Sequence, residues 1–247
     1  MKNPITRDKF KAVLFDLDGV LTTTEKIHFS CWKKMFDDFL LSYSDTNKIK
    51  FVPFDINQDY LKYVDGKPRY EGVRDFLASR TIDIPQGSHN SPPDEISVCG
   101  LGNRKNELFN QTVKNEPVEL YESSINLVRH LKSEGFKLAV VSSSRNCKAV
   151  LASAGIQNLF EVVVDGITAE KLGLSGKPRP DTYIEASKTL DIDPKSAVVV
   201  EDASSGVKAG KNGNFGLVIG IARKENSNEL KINGADIVVK DLKEIEF

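Results

Sequence analysis

The chain has 247 residues, enough for one large domain or two modest ones. Its hydrophobic fraction of 40% and charged fraction of 28% are those of a soluble globular protein. A formal net charge of −1 gives no electrostatic case for nucleic acid or an anionic membrane, and no apolar run reaches the length of a membrane span.

The N-terminal MKNPITRDKF lacks the apolar stretch of an export signal, and Cys31, Cys99 and Cys147 are widely spaced. Reduced thiols in a cytoplasmic protein, expected as a monomer, are the simplest reading. The three histidines are scattered, which argues against a zinc site.

The first element is the apolar run Ala12 to Phe15, which ends in Asp16 and Asp18 and then Gly19. A short apolar run bounded by a turn signal reads as a buried parallel strand, and carboxylates at its carboxyl end lie where open α/β sheets bind ligands. Gly19 lets the backbone turn and re-aim the second carboxylate. Two carboxylates 4 Å apart repel by roughly 4 kcal/mol at an effective dielectric near 20, so a cation is expected beside them.

Thr22 to Glu25 resembles a capping box that opens a helix running to about Leu41, with Ile27, Cys31, Met35 and Phe39 at helical spacing. His28 and Trp32, one turn apart, share a face. Gly66-Lys67-Pro68-Arg69 is a turn carrying two cations before a helix over about 70–80, residues 81–97 read as loop, and a further helix covers about 101–115.

From residue 118 the rhythm changes. A helix over 121–134 ends at Gly135, and strands are expected at 137–141, 160–164, 197–200, 215–219 and 235–239. Helices cover 146–154, 181–190 and a segment containing Gly206 and Gly210. Strands alternating with helices mean βαβ units and a parallel sheet. Since the first strand belongs to that sheet, residues 22–117 look inserted. The expected fold is an α/β class, doubly wound and mainly parallel, with an inserted helical cap. The core takes residues 1–21 and 118–247, the cap residues 22–117.

Polar groups collect at four strand ends: Asp16 and Asp18, Ser142 to Asn146, the loop carrying Lys177, and Glu201-Asp202. Parallel strands place these ends on one side of the sheet. Hard carboxylate oxygens suit Mg²⁺, Lys177 offsets remaining negative charge, and the Ser142 hydroxyl with successive N–H groups forms an anion site. Together they specify phosphoryl transfer.

Asp16-Leu-Asp18-Gly-Val-Leu-Thr22 resembles the first motif of the haloacid dehalogenase (HAD) superfamily in its phosphotransferase form. Ser142, Lys177 and Glu201-Asp202 resemble the second, third and fourth motifs. The resemblance implies that Asp16 is the nucleophile, forming an aspartyl-phosphate, and Asp18 the general acid/base. It implies that Mg²⁺ is held by Asp16, the Asp18 backbone carbonyl and Asp202, with Glu201 as ligand or just behind. Within the superfamily the chain looks like the β-phosphoglucomutase subfamily. By that resemblance His28 responds to substrate and Trp32 packs near the sugar. Gly66, Lys67 and Arg69 grip the distal phosphate, Lys105 lies near substrate, and Ser143, Ser144, Arg145 and Asn146 contact phosphate. The expected activity is interconversion of β-glucose 1-phosphate and glucose 6-phosphate, with a sugar-phosphate phosphatase as the alternative. Hinges are expected at Thr22–Thr24 and about residues 115–120. Thr23, the Leu120–Ser123 segment and the longer loop around 81–100 depart from the subfamily's pattern.

Overall fold

The computed structural model describes residues 4–65, 67–115, 118–223 and 225–245. The chain divides into two compact units, one formed by Met1–Thr24 with Val118–Phe247 and the other by Glu25–Pro117.

In the first unit the described residues form a six-stranded sheet: β1 (Ala12–Phe15), β2 (Lys137–Val141), β3 (Val162–Val164), β4 (Ala197–Glu201), β5 (Leu217–Ile221) and β6 (Ile237–Val239). The spatial order is β3-β2-β1-β4-β5-β6, and every pairing is parallel. β1 and β4 are buried along their whole length, as a strand covered on both faces must be. The order reverses direction between β1 and β4, which opens a crevice beyond their carboxyl ends. Val141, Val199, Val218, Tyr183 and Ala186 belong to one apolar cluster that fixes helices against this sheet.

The connecting helices are α4 (Glu122–Ser133), α5 (Cys147–Ser153), α6 (Gly166–Leu172), α7 (Asp181–Thr189), α8 (Ser204–Asn212) and α9 (Ser227–Ile232). α6 and α9 have seven and six residues, and the sequence reading has no helix at either place.

The second unit contains helices α1 (Glu25–Asn47), α2 (Arg69–Ser79) and α3 (Val98–Asn115). α1 continues to Asn47, past the Leu41 expected, and stops where Lys48 takes a left-handed φ of 55°. In the polar stretch 42–47 Thr46 donates to the Ser42 carbonyl and Asn47 to the Tyr43 carbonyl. Residues Ile56–Val64, unassigned in the sequence reading, form a π-helical segment whose wider turn shows in the bonds Tyr60 N to Asp55 O and Asp65 N to Tyr60 O. Phe36, Phe54 and Phe76 form its aromatic core, with ring centroids 4.2–4.8 Å apart. The cysteines are all buried and unbridged. No helix among the described residues is long and apolar enough to cross a membrane.

Candidate active site

β1 delivers Asp16 to the crevice one residue beyond its last paired position, and its amide still bonds the Val200 carbonyl of β4. The chain then folds back on itself: the Leu21 and Thr22 amides both return to the Leu17 carbonyl, and the Gly19 amide to Thr22. Gly19 sits at φ +83°, and a Cβ there would run into the Asp202 carboxylate. Only glycine meets both demands. The turn hands Asp18 to a pair of buried hydroxyls. Thr24 donates to Asp18 Oδ1, and Thr22 Oγ1 lies 2.7 Å from Thr24 Oγ1. Neither threonine is marked by a sequence pattern as a partner of Asp18.

β4 delivers Glu201 and Asp202. Lys177 links them to β1, its ammonium lying 2.5 Å from Asp16 Oδ1, 2.6 Å from Glu201 Oε1 and 3.1 Å from the Val141 carbonyl. Glu201 receives four donors: Lys177 Nζ and the Tyr183 hydroxyl at Oε1, and the amides of Asp202 and Ala203 at Oε2. Gly206 makes room for this carboxylate, because a Cβ at that position would overlap it. Tyr183, the other side chain on Glu201, has nothing in its sequence surroundings to announce it.

The electrostatics follow from burial. Desolvation pushes the Asp16 carboxyl well above the ordinary aspartate range; Lys177 opposes this, and Glu201 and Asp18 add to it. Desolvation alone would lower Lys177, but Asp16 and Glu201 outweigh it and keep the ammonium charged well into alkaline solution. One ammonium therefore faces more carboxylate charge than it can neutralise. Asp16, Glu201 and Asp202 can each offer an oxygen within 4.8 Å of the others, which among the described residues makes a three-carboxylate group able to hold a cation. An all-oxygen donor set of this kind fits a hard divalent ion. Both Glu201 oxygens and Asp16 Oδ1 already accept hydrogen bonds within this group.

Ser142 is buried at the end of β2, its amide on the Val164 carbonyl. Its hydroxyl accepts the Ser144 amide at 3.1 Å, and the Ser144 hydroxyl accepts the Asn146 amide at 3.2 Å. The segment is thus a loop braced by its own hydroxyls, and α5 begins only at Cys147. Ser143 is exposed, Asn146 half-buried, and the exposed Arg145 is paired with Glu170.

In the helical unit His28, Trp32 and Lys105 meet. Lys105 is buried, with its Nζ 2.7 Å from His28 Nδ1 and 5.2 Å from the centre of the Trp32 ring. With Lys105 as an ammonium, Nδ1 is the acceptor and the imidazole proton sits on Nε2. His28 also stacks on Phe109 at 4.2 Å. Arg69 donates to Asn106 at 2.7 Å, whereas Lys67 is paired with Asp75 away from that contact. Gly66 lies outside the described residues.

The family described as haloacid dehalogenase-like hydrolase matches residues 10–214. The chain is 44% identical to β-phosphoglucomutase of Mycobacterium bovis, across 96% of this chain and 92% of that protein. It is 30% identical to β-phosphoglucomutase of Bacillus subtilis, covering 95% and 91%. The crystal structure of β-phosphoglucomutase from Clostridium difficile shares the fold at a TM-score of 0.73 and 22% identity, covering 96% of this chain and 94% of that one. The family model covers most of the chain and the Mycobacterium relative 96% of it, so the chain belongs to the haloacid dehalogenase-like hydrolases, in their β-phosphoglucomutase branch, and is a phosphotransferase of the mutase or phosphatase kind.

Proposed function

We propose that this enzyme is a Mg²⁺-dependent sugar phosphomutase that interconverts β-glucose 1-phosphate and glucose 6-phosphate through an aspartyl-phosphate on Asp16. The observation that carries the mutase reading is the 44% identity to a β-phosphoglucomutase over nearly the whole of both chains. In this reading phospho-Asp16 first gives its phosphoryl group to the 6-hydroxyl of β-glucose 1-phosphate: the new phosphorus–oxygen bond forms, the bond from phosphorus to the Asp16 oxygen breaks, and Asp18 takes the hydroxyl proton, leaving the 1,6-bisphosphate. The bisphosphate then turns over, an Asp16 carboxylate oxygen attacks the phosphorus on C1, the bond from that phosphorus to the sugar oxygen breaks, and Asp18 returns its proton to that oxygen, releasing glucose 6-phosphate and restoring phospho-Asp16. Lys177 and the Ser142 loop hold the phosphoryl oxygens. In the helical unit, acting as a cap, Arg69 and Lys105 contribute to holding the phosphate that is not reacting, with His28 and Trp32 toward the sugar. A divalent cation, held by Asp16, Asp202 and the Asp18 backbone carbonyl, with Glu201 orienting that set, supplies charge neutralisation on the phosphoryl oxygens.

The test is phosphorus NMR of β-glucose 1-phosphate with Mg²⁺ and a trace of the 1,6-bisphosphate. Glucose 6-phosphate accumulating without inorganic phosphate is the expected result. Inorganic phosphate with no isomerised sugar makes the enzyme a phosphatase using the same Asp16. Asp16→Asn abolishes the phosphoenzyme in either case, and Asp18→Asn lowers turnover by about 10²–10⁴-fold.

A further inference from the structure

Arg223 follows β5 by two residues and belongs to none of the motifs above. Its side chain is 14% exposed, and it touches several separate segments of the α/β unit. Nε donates to the Gly19 carbonyl at 3.3 Å, and Nη1 donates to Asp241 Oδ2 at 2.9 Å and to the Lys240 carbonyl at 3.4 Å. The guanidinium carbon lies 3.8 Å from the centre of the Tyr121 ring. Tyr121 in turn donates its amide to the Leu21 carbonyl, and Thr22 is bridged to Leu120. Nη2 is buried with no acceptor among the described residues.

Taking a guanidinium out of water is costly, and a single carboxylate at one edge does not account for this placement. What the placement achieves is restraint of Gly19. Glycine has the largest conformational freedom of any residue, and here its amide is held by Thr22 and its carbonyl by Arg223. Both peptide planes beside Gly19 are thereby fixed, and Asp18 is the residue immediately before it. A lysine could not reproduce this, since the planar fork stacks on one face while donating from two edges.

We infer that Arg223 is a positioning residue for phosphoryl transfer: through the Gly19 carbonyl and the Tyr121 ring it holds the loop that aims Asp18 at the leaving oxygen. The inference rests on the reading of Asp18 as proton donor. A misaimed donor slows only substrates whose leaving group needs the proton. A sugar alkoxide does, and p-nitrophenolate does not.

The experiment measures first-turnover phosphoenzyme formation in the full-length Mg²⁺-loaded enzyme, from β-glucose 1,6-bisphosphate and from p-nitrophenyl phosphate. Arg223→Ala and Arg223→Lys are expected to lose about 10- to 100-fold with the sugar phosphate while changing less than about twofold with p-nitrophenyl phosphate. Should Arg223→Ala fail to fold, Tyr121→Leu removes the stacking face and is expected to show the same selective loss, about 2- to 30-fold. Equal losses with both substrates, or no loss with either, overturn the inference. Asp18→Asn, run alongside, separates the two ideas. If it keeps full activity on the sugar phosphate, the proton-donor reading falls and this inference with it. If it is selectively slowed while the Arg223 variants are not, the inference falls alone.

Discussion

Glu201 and Asp202 are neighbours in one acidic group, yet their surroundings assign them different work. Glu201 is 1% exposed and accepts four hydrogen bonds, so deleting its carboxylate takes this acceptor from Tyr183 and two backbone amides and leaves Lys177 with Asp16 as its remaining carboxylate partner among the described residues. Glu201→Ala is therefore expected to destabilise the protein by about 3–5 kcal/mol, the cost of breaking a buried ion pair. Glu201→Gln, which keeps the shape but not the charge, is expected to weaken Mg²⁺ binding about 10- to 100-fold. Urea unfolding and titration calorimetry read the two effects separately. Gly19→Ala is a third case: the left-handed φ and the approach of Asp202 both oppose a side chain. Its loss of stability should exceed about 1 kcal/mol in the same urea measurement. At this scale the sequence showed the carboxylates at strand ends, Asp16 and Glu201, because a carboxylate after an apolar run is conspicuous; Lys177, expected at a strand end, lies instead in the loop between α6 and α7. The sequence could not show Thr24 on Asp18, Tyr183 on Glu201 or Arg223 on Gly19. Those pairings join residues distant in the chain or of unremarkable type, and only the fold brings them together.

Among the elements, β1 has the central position, paired with β2 on one side and β4 on the other. Leu14 is wholly buried in it, and Leu14→Ala is expected to cost about 2–5 kcal/mol, measured by thermal or urea unfolding. The strands were legible because a parallel sheet covered on both faces demands continuous Val, Ile and Leu, as in Ala197–Glu201 and Leu217–Ile221. Their spatial order was not, since alternation of strands and helices is compatible with several orders. The π-helical segment escaped for a different reason. Its turns are wider than the 3.6-residue period against which apolar spacing is judged, and Asp55 caps it by accepting the Asn57 and Gln58 amides.

On the scale of the whole molecule, the two units have separate apolar clusters, one around the parallel sheet and one around Phe36, Phe54 and Phe76. The chain's single tryptophan, Trp32, lies in the second. Its emission is thus a reporter of the helical unit alone, while far-ultraviolet circular dichroism reports both. We expect Mg²⁺ at about 100 times its dissociation constant to add about 2.7 kcal/mol to the stability of the α/β unit. The expected observation is a shift of the dichroism transition on adding Mg²⁺ that exceeds any shift of the Trp32 transition, reversed by chelation.

The pairing of Thr22 with Leu120, reinforced by the amide of Thr23 on the Glu119 carbonyl, has a consequence for ancestry and engineering. The chain leaves the sheet-bearing unit and comes back to it through one doorway, closed by an isolated antiparallel bridge. A segment of more than ninety residues thereby occupies the place of a hairpin turn. Such an insert can be exchanged as a cassette, because the host needs only that the two ends stay joined. Replacing residues 25–117 by a short turn should leave a protein that still folds its sheet and binds Mg²⁺. Having surrendered Arg69, Lys105 and His28, it should pass phosphate from Asp16 to water instead of to a second hydroxyl.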